Sequence, residues 1–348
     1  MAVYEQPNQT AVAVANLNER PKGESLWGDA WRRLRRNKAA LLGAVIILLN
    51  ILMAVFAPVI APKDPSQQIL ADNNAVASWM PGIFPNIKPK GTEGGYATVN
   101  DSYPLGADNL GRDLLSRIVY GSRVSLFVAF IGPLFSISIG LTVGLISGYT
   151  GGRTDNLIMR FVDMMYAFPT FLLIVLLMAF FRTSMFNLQP GSLAYTLGQL
   201  DKASGGMLFI TVGIAITSWM QTARLTRGQV LSVREKEYIE AARSIGTPTR
   251  QIMLMHVLPN ILGPLIIAET LTIPTYISYE AFLSFIGLGV NPPTPSWGGM
   301  ISDGARVIAT YPNQALFPAL ALFFIMFAFN FLGDGLRDAL DPRMRGVE

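Results

Sequence analysis

Few side chains in this sequence could do chemistry, and their types exclude more than they offer. There is no cysteine, so disulfides and thiolate metal sites are ruled out. His256 is the single histidine, so the chain can build neither a His-pair metal site nor a two-histidine relay. No G-x4-GK[ST] stretch is present, and with it goes any Walker-type phosphate loop for ATP. The carboxylates of Asp108 and Asp113, in LGADNLGRDLLSR, lack the spacing of a calcium loop. Asp108 instead reads as the cap of a short interfacial helix with Leu110, Leu114, Leu115 and Ile118 on its apolar side. Glu269 and Glu280 lie well inside an apolar run, where an ionised side chain facing lipid would cost at least about 3 kcal/mol. Each must face the bundle interior, a partner or water, and both are candidates for the border of a translocation pathway. On a straight helix they would share a face, although Pro274 between them can rotate the outer half. The competing role for Glu280 is a hydrogen bond to a neighbouring helix.

The longest polar interruption of the second half runs over 224–260, RLTRGQVLSVREKEYIEAARSIGTPTRQIMLMHVLPN. Its pattern predicts two short helices meeting at a bend. Residues 237–245 are strong helix formers, and Gly246 suits the left-handed residue that ends a helix. Thr247 would cap a second helix starting at Pro248 and running to about Val257, after which Pro259 begins the next apolar segment. Such a hairpin between membrane helices is a rigid knob facing water; the alternative is an ordinary polar loop.

The elements that must hold these residues follow from composition. The 348 residues are 51% hydrophobic and 14% charged, with a mean hydropathy of +0.39, against about 25% charged in soluble domains. The class is a polytopic membrane protein, all-α. Apolar runs predict six transmembrane helices at about 39–60, 122–149, 157–181, 205–223, 259–288 and 311–332. Gly140, Gly144 and Gly148 form a small-x3-small stripe for close helix packing. Residues 1–38 read as a cytoplasmic tail ending in an amphipathic helix, with Trp27, Trp31 and Leu34 among Arg32, Arg33, Arg35, Arg36 and Lys38, suited to an anionic lipid surface. The first span occupies 39–61, an extracytoplasmic loop with its interfacial helix 62–121, and a five-helix core 122–348. The proline-rich 62–105 stretch is an external loop or small cap. Arg160 and Asp163 would pair on one helix face. Lysine and arginine gather in the 224–260 loop and near both ends, which places both termini in the cytoplasm. Arg112, Arg117 and Arg123 fall on the outer side and run against that bias. The net charge of +4 is modest and its distribution argues against nucleic-acid binding.

The loop pattern E-A-A-x3-G-x9-H-x-L-P, carried by Glu240, Ala241, Ala242, Gly246, His256, Leu258 and Pro259, resembles the cytoplasmic loop by which ABC-importer permeases dock onto their ATPases. ISYEAFLSFIGLG over 277–289, PPTPSWG over 292–298 and Asn330-x2-Gly333-Asp334-Gly335-Leu336-Arg337-Asp338-x2-Asp341-Pro342 are similar to the C-type permease of dipeptide/oligopeptide importers. The resemblance covers about 25–345. It implies the type I ABC-importer permease fold, with Glu240, Ala241, Ala242, Gly246, Leu258 and Pro259 in a coupling element. It also implies a homologous second permease, two ATPase subunits and an extracytoplasmic substrate-binding protein, in the cytoplasmic membrane of a prokaryote. No cofactor is expected in this chain, since ATP and Mg2+ would belong to the ATPases, and no metal or catalytic residue is expected either. Within the coupling element, Glu240 would anchor the first short helix by pairing with a basic or amide group, while Ala241 and Ala242 allow close approach. The insert around 66–100, the tail before Trp27, and Ala319 in place of a glycine depart from the pattern, and Glu269 lies outside it. Similar-looking permeases carry nickel chelates or oligosaccharides, so peptide cargo is the leading reading among these. An ion-coupled secondary transporter would need several intramembrane acids and a span repeat. A membrane enzyme would need clustered polar groups at one depth.

Overall fold

Apolar runs this long bury their backbone groups by coiling, and the computed structural model, which describes residues 26–184 and 191–340, is helical with no named strand among them. In chain order the helices of eight or more residues are α1 (Leu26–Arg36), α2 (Lys38–Val55), α3 (Leu114–Thr150), α4 (Gly152–Tyr166), α5 (Thr170–Ser184), α6 (Leu193–Ala203), α7 (Met207–Arg234), α8 (Glu237–Ser244), α9 (Thr249–Phe285), α10 (Trp297–Ala305) and α11 (Asn313–Leu340). Four of them are long and apolar enough to cross a membrane: α2, α3, α9 and α11. The number rises to six if each of two bent pairs, α4 with α5 and α6 with α7, makes one span.

Contact registers support counting the pairs. Gly140, Gly144 and Gly148 of α3 meet Thr222, Thr226 and Val230 of α7 in ascending order, so α3 and α7 run parallel. Two parallel neighbours require the chain to return between them, and α4–α5 is the segment available. Descending registers make α9 antiparallel to α3 (Gly132 on Tyr276, Ser136 on Glu269) and α2 antiparallel to α11 (Gly43 on Ala328, Ala40 on Gly335).

Several expected boundaries move, each for a local reason. The interfacial helix of 62–121 does not stand apart: it is the first turns of α3, a helix of 37 residues that absorbs the second span. Its cap is Asp113, which accepts from the Ser116 N–H at 2.7 Å, and not Asp108. Asp108 accepts from the N–H groups of Leu110 and Arg112 and pairs with the guanidinium of Arg112 at 2.7 Å and of Arg117 at 3.5 Å. Arg123 donates to the carbonyls of Ala54 and Val55 at the end of α2, where a cation offsets the helix dipole. The three arginines that oppose the charge bias therefore each have a structural partner. The third span breaks by 75° at the turn that holds Pro169, which lacks an N–H and disfavours the helical region for the residue before it. The loop expected over 182–204 contains α6, capped by Ser192, and turns by 108° into α7 through Gly205 and Gly206, both with positive φ.

The 62–105 stretch folds as a cap with its own apolar cluster of Val76, Ala77, Met80, Ile87 and Ala97. It sits on the start of α11 through Phe84 and Trp79 against Phe317, and through the Gln314 amide donating to Asn74 Oδ1 at 2.8 Å. At the other end, Asn37 caps α2, and Leu34 of α1 rests beside Gly335 of α11. Trp31 is exposed, with the Arg35 guanidinium 5.0 Å from its ring centroid. Residues 1–25 and Asp341, Pro342, Arg343 and Arg345, part of the expected tail and C-terminal motif, lie outside the described residues.

Candidate functional site

The knob between α7 and α9 begins as the sequence reads and ends differently. α8 covers Glu237–Ser244, and Gly246 holds φ of +80°. Its N–H donates to Arg243 O at 2.9 Å, and that of Thr247 to Ala242 O at 3.1 Å. These two bonds are the Schellman arrangement that closes a helix on a left-handed residue. The second helix is not a separate piece and Thr247 does not cap it. It is the first part of α9, which starts at Thr249 after Pro248 and passes through a π-helical stretch, Ile252–Val257. There Leu258 N–H reaches back five residues to Met253 O, just before Pro259, which has no N–H to give. Pro259 thus lies inside a continuous helix.

Ile239 and Ala242 are buried against Leu145 of α3, Val230 of α7 and Ile252, Val257 and Ile261 of α9. The knob is therefore packed onto the roots of three long helices. Its other side is open: Glu237, Tyr238, Glu240, Ala241, Ile245 and Met255 are exposed, Ile245 at 84%. Glu240 forms no ion pair among the described residues, so it does not anchor α8 as expected. Leu258 is half-buried and Pro259 exposed. Beneath the knob, Arg227 of α7 forks onto Asp155 of α4 with two bonds of 2.6 Å, and Ser147 donates to the same carboxylate. Asp163 pairs with Arg224 at 2.5 Å, not with Arg160.

Both intramembrane glutamates point into the bundle. Glu269 accepts from Ser136 Oγ of α3 at 2.7 Å, from Thr222 Oγ1 of α7, and from Tyr276 Oη of α9 at 3.2 Å. Glu280 is fully buried; Ser284 Oγ donates to it at 2.8 Å, and its Oε2 has no partner among the described residues. The sequence reading missed Ser136, Thr222, Tyr276, Asp155 and Arg227. Ser136 carried one usable signal, since it occupies the four-residue series that Gly140, Gly144 and Gly148 continue. A methyl on those glycines would lie 2.7, 2.5 and 2.9 Å from the Cβ atoms of Thr222, Thr226 and Val230.

Residues 140–346 match the model of the family described as "Binding-protein-dependent transport system inner membrane component", and residues 25–77 that of "N-terminal TM domain of oligopeptide transport permease C". The chain is 38% identical to the oligopeptide transport system permease protein OppC of Bacillus subtilis (strain 168), over 93% of this chain and 92% of that protein. It is 39% identical to OppC of Haemophilus influenzae, over 93% and 91%. Against the dipeptide transport system permease protein DppC of B. subtilis the identity is 37%, over 91% and 86%.

Proposed function

This chain belongs to the family of binding-protein-dependent transport system inner membrane components, and from that membership we propose that it is the C-type permease subunit of an ATP-driven peptide importer. It forms half of the translocation pathway beside a homologous second permease. Two ATPase subunits lie beneath the pair and hold the ATP and Mg2+, and an extracytoplasmic binding protein delivers cargo from above. Both termini face the cytoplasm, in keeping with the arginines of the 224–260 loop. Peptide cargo is the reading that the relatives named for oligopeptide and dipeptide transport favour.

The observation that carries the coupling role is the two-sidedness of α8. One side is locked to α3, α7 and α9; the other exposes Tyr238, Glu240, Ala241 and Ile245 to a partner. When ATP closes the ATPase dimer, the two knobs of the permease pair are pushed together. The helices rock as rigid bodies and the pathway changes the side to which it opens.

The test is Gly246→Val in the complete complex in proteoliposomes. Apart from its chain neighbours no atom lies within 4 Å of a Cβ at Gly246, so the substitution has open space at Cβ and acts chiefly through its backbone. A β-branched residue at φ of +80° carries a strain of about 1–2 kcal/mol, relieved by opening the Schellman turn. The variant inserts, while cargo-stimulated ATP hydrolysis and uptake fall. Survival of both activities in Gly246→Val and in Glu240→Ala would remove the loop from coupling.

A further inference from the structure

Glu269 lies outside the loop and outside the family motifs, yet it is the point where three helices share one side chain. Its carboxylate, on α9, accepts hydrogen bonds from the hydroxyls of Ser136 on α3 and Thr222 on α7, and those two hydroxyl oxygens lie 2.6 Å apart. The helices can come this close because of what surrounds Ser136. One turn before it, Gly132 lies against the Tyr276 ring, where a methyl would be 2.5 Å from Cδ2; one turn after, Gly140 lies against Trp219 O and Thr222. Serine is the smallest residue that adds a donor to such a stripe without forcing the helices apart. Glycine contacts on both sides fix the approach, and the acid at its centre supplies the polar tie. The residue is 5% exposed, so little solvent reaches its oxygens.

α7 and α9 are the two helices between which the knob hangs. Near the knob they are joined by the apolar cluster around Ile239 and Ile252. Thr222 stands twelve residues above the end of α7, about 18 Å at about 1.5 Å per residue. A displacement entering at the knob reaches that height as one movement only if the helices cannot shear against each other on the way. We infer that Glu269 is a positioning residue that locks α3, α7 and α9 into one body, so that movement of the knob is delivered to the outer half of the bundle. The inference rests on the coupling role proposed above.

The experiment measures ATP hydrolysed per cargo molecule imported, in proteoliposomes holding the permease pair, its ATPases and its binding protein, with a peptide as cargo. Ser136→Ala and Thr222→Val each remove a donor that crosses between helices at nearly constant volume. Each is expected to raise the ratio about threefold, the factor that one interhelical hydrogen bond is worth in a membrane. Tyr276→Phe removes a donor from Glu269's own helix and leaves the ratio unchanged. Glu269→Gln keeps an oxygen that can accept from both Ser136 and Thr222 and stays near the wild-type ratio. A wild-type ratio in both Ser136→Ala and Thr222→Val overturns the proposal, as does Tyr276→Phe uncoupling as strongly as they do. Loss of assembly in both cross-helix variants also overturns it, leaving Glu269 as a contact that only holds the bundle together. If wild-type complex shows no cargo-stimulated hydrolysis, the coupling role itself fails, which is a different result from a wild type that couples and variants that couple equally well.

Discussion

Adding one methyl at Gly144 and one at Gly228 is the same chemical change with opposite expected consequences. At Gly144 the new Cβ would lie 2.5 Å from Thr226 Cβ and 2.6 Å from Ala223 O. Carbon atoms rest at about 3.5–4.0 Å, so α3 and α7 must part locally by about 1 Å. The tie between Ser136 on α3 and Thr222 on α7, made through Glu269, would stretch with them. Overpacking of this kind costs about 1–3 kcal/mol. At Gly228, on α7, nothing lies within 4 Å of the added atom and the backbone is helical. Alanine there should be neutral, or stabilising by about 0.5–1 kcal/mol through reduced backbone freedom. The assay is thermal unfolding of the purified complex in detergent, with both variants read against wild type. Gly144→Ala should lower Tm clearly, and Gly228→Ala should not. A Gly144→Ala complex as stable as Gly228→Ala would mean that α3 and α7 are not in backbone contact, and the parallel register drawn from that contact would fall with it.

Two further outcomes are expected. The absence of native cysteine allows single cysteines at Ser232, Ser302 and Ala71: the last two should react with an impermeant thiol reagent in intact cells, and Ser232 only after permeabilisation, whereas labelling of Ser232 from outside would defeat both the topology and the docking role. Glu280→Gln should leave the preference among peptides of differing charge unaltered, since the carboxylate is fully buried beside Ser284; a changed preference in an intact assembly would place Glu280 on the translocation pathway.

The parts legible in the sequence are those decided within a few residues. α8 and its end at Gly246 follow from local propensity and one backbone conformation, and both appear where the pattern puts them. The apolar runs likewise announce the long helices, because burial in lipid demands an unbroken stretch. Boundaries fail where a local signal is overruled. Pro259 reads as a break, but the π-helical stretch before it already skips a bond, so the helix passes through. Asp108 reads as a cap, but two nearby guanidiniums claim it, and the cap falls to Asp113.

The polar hub is hidden for a different reason. A serine or threonine in an apolar run usually satisfies its hydroxyl on its own helix, four residues back, as Thr142, Thr217, Thr270, Thr272 and Ser278 do here. Composition therefore cannot distinguish those from Ser136 and Thr222, which reach other helices. What distinguishes Ser136 is its place in a series of small residues spaced by four, where the neighbouring backbone is too close for any larger donor. An acid buried opposite such a series has a partner chosen for it by the packing, and Glu269 meets that condition. The same series sets the approach of α7, whose lower end carries the knob. Close packing and the polar tie are thus two consequences of one stripe on α3.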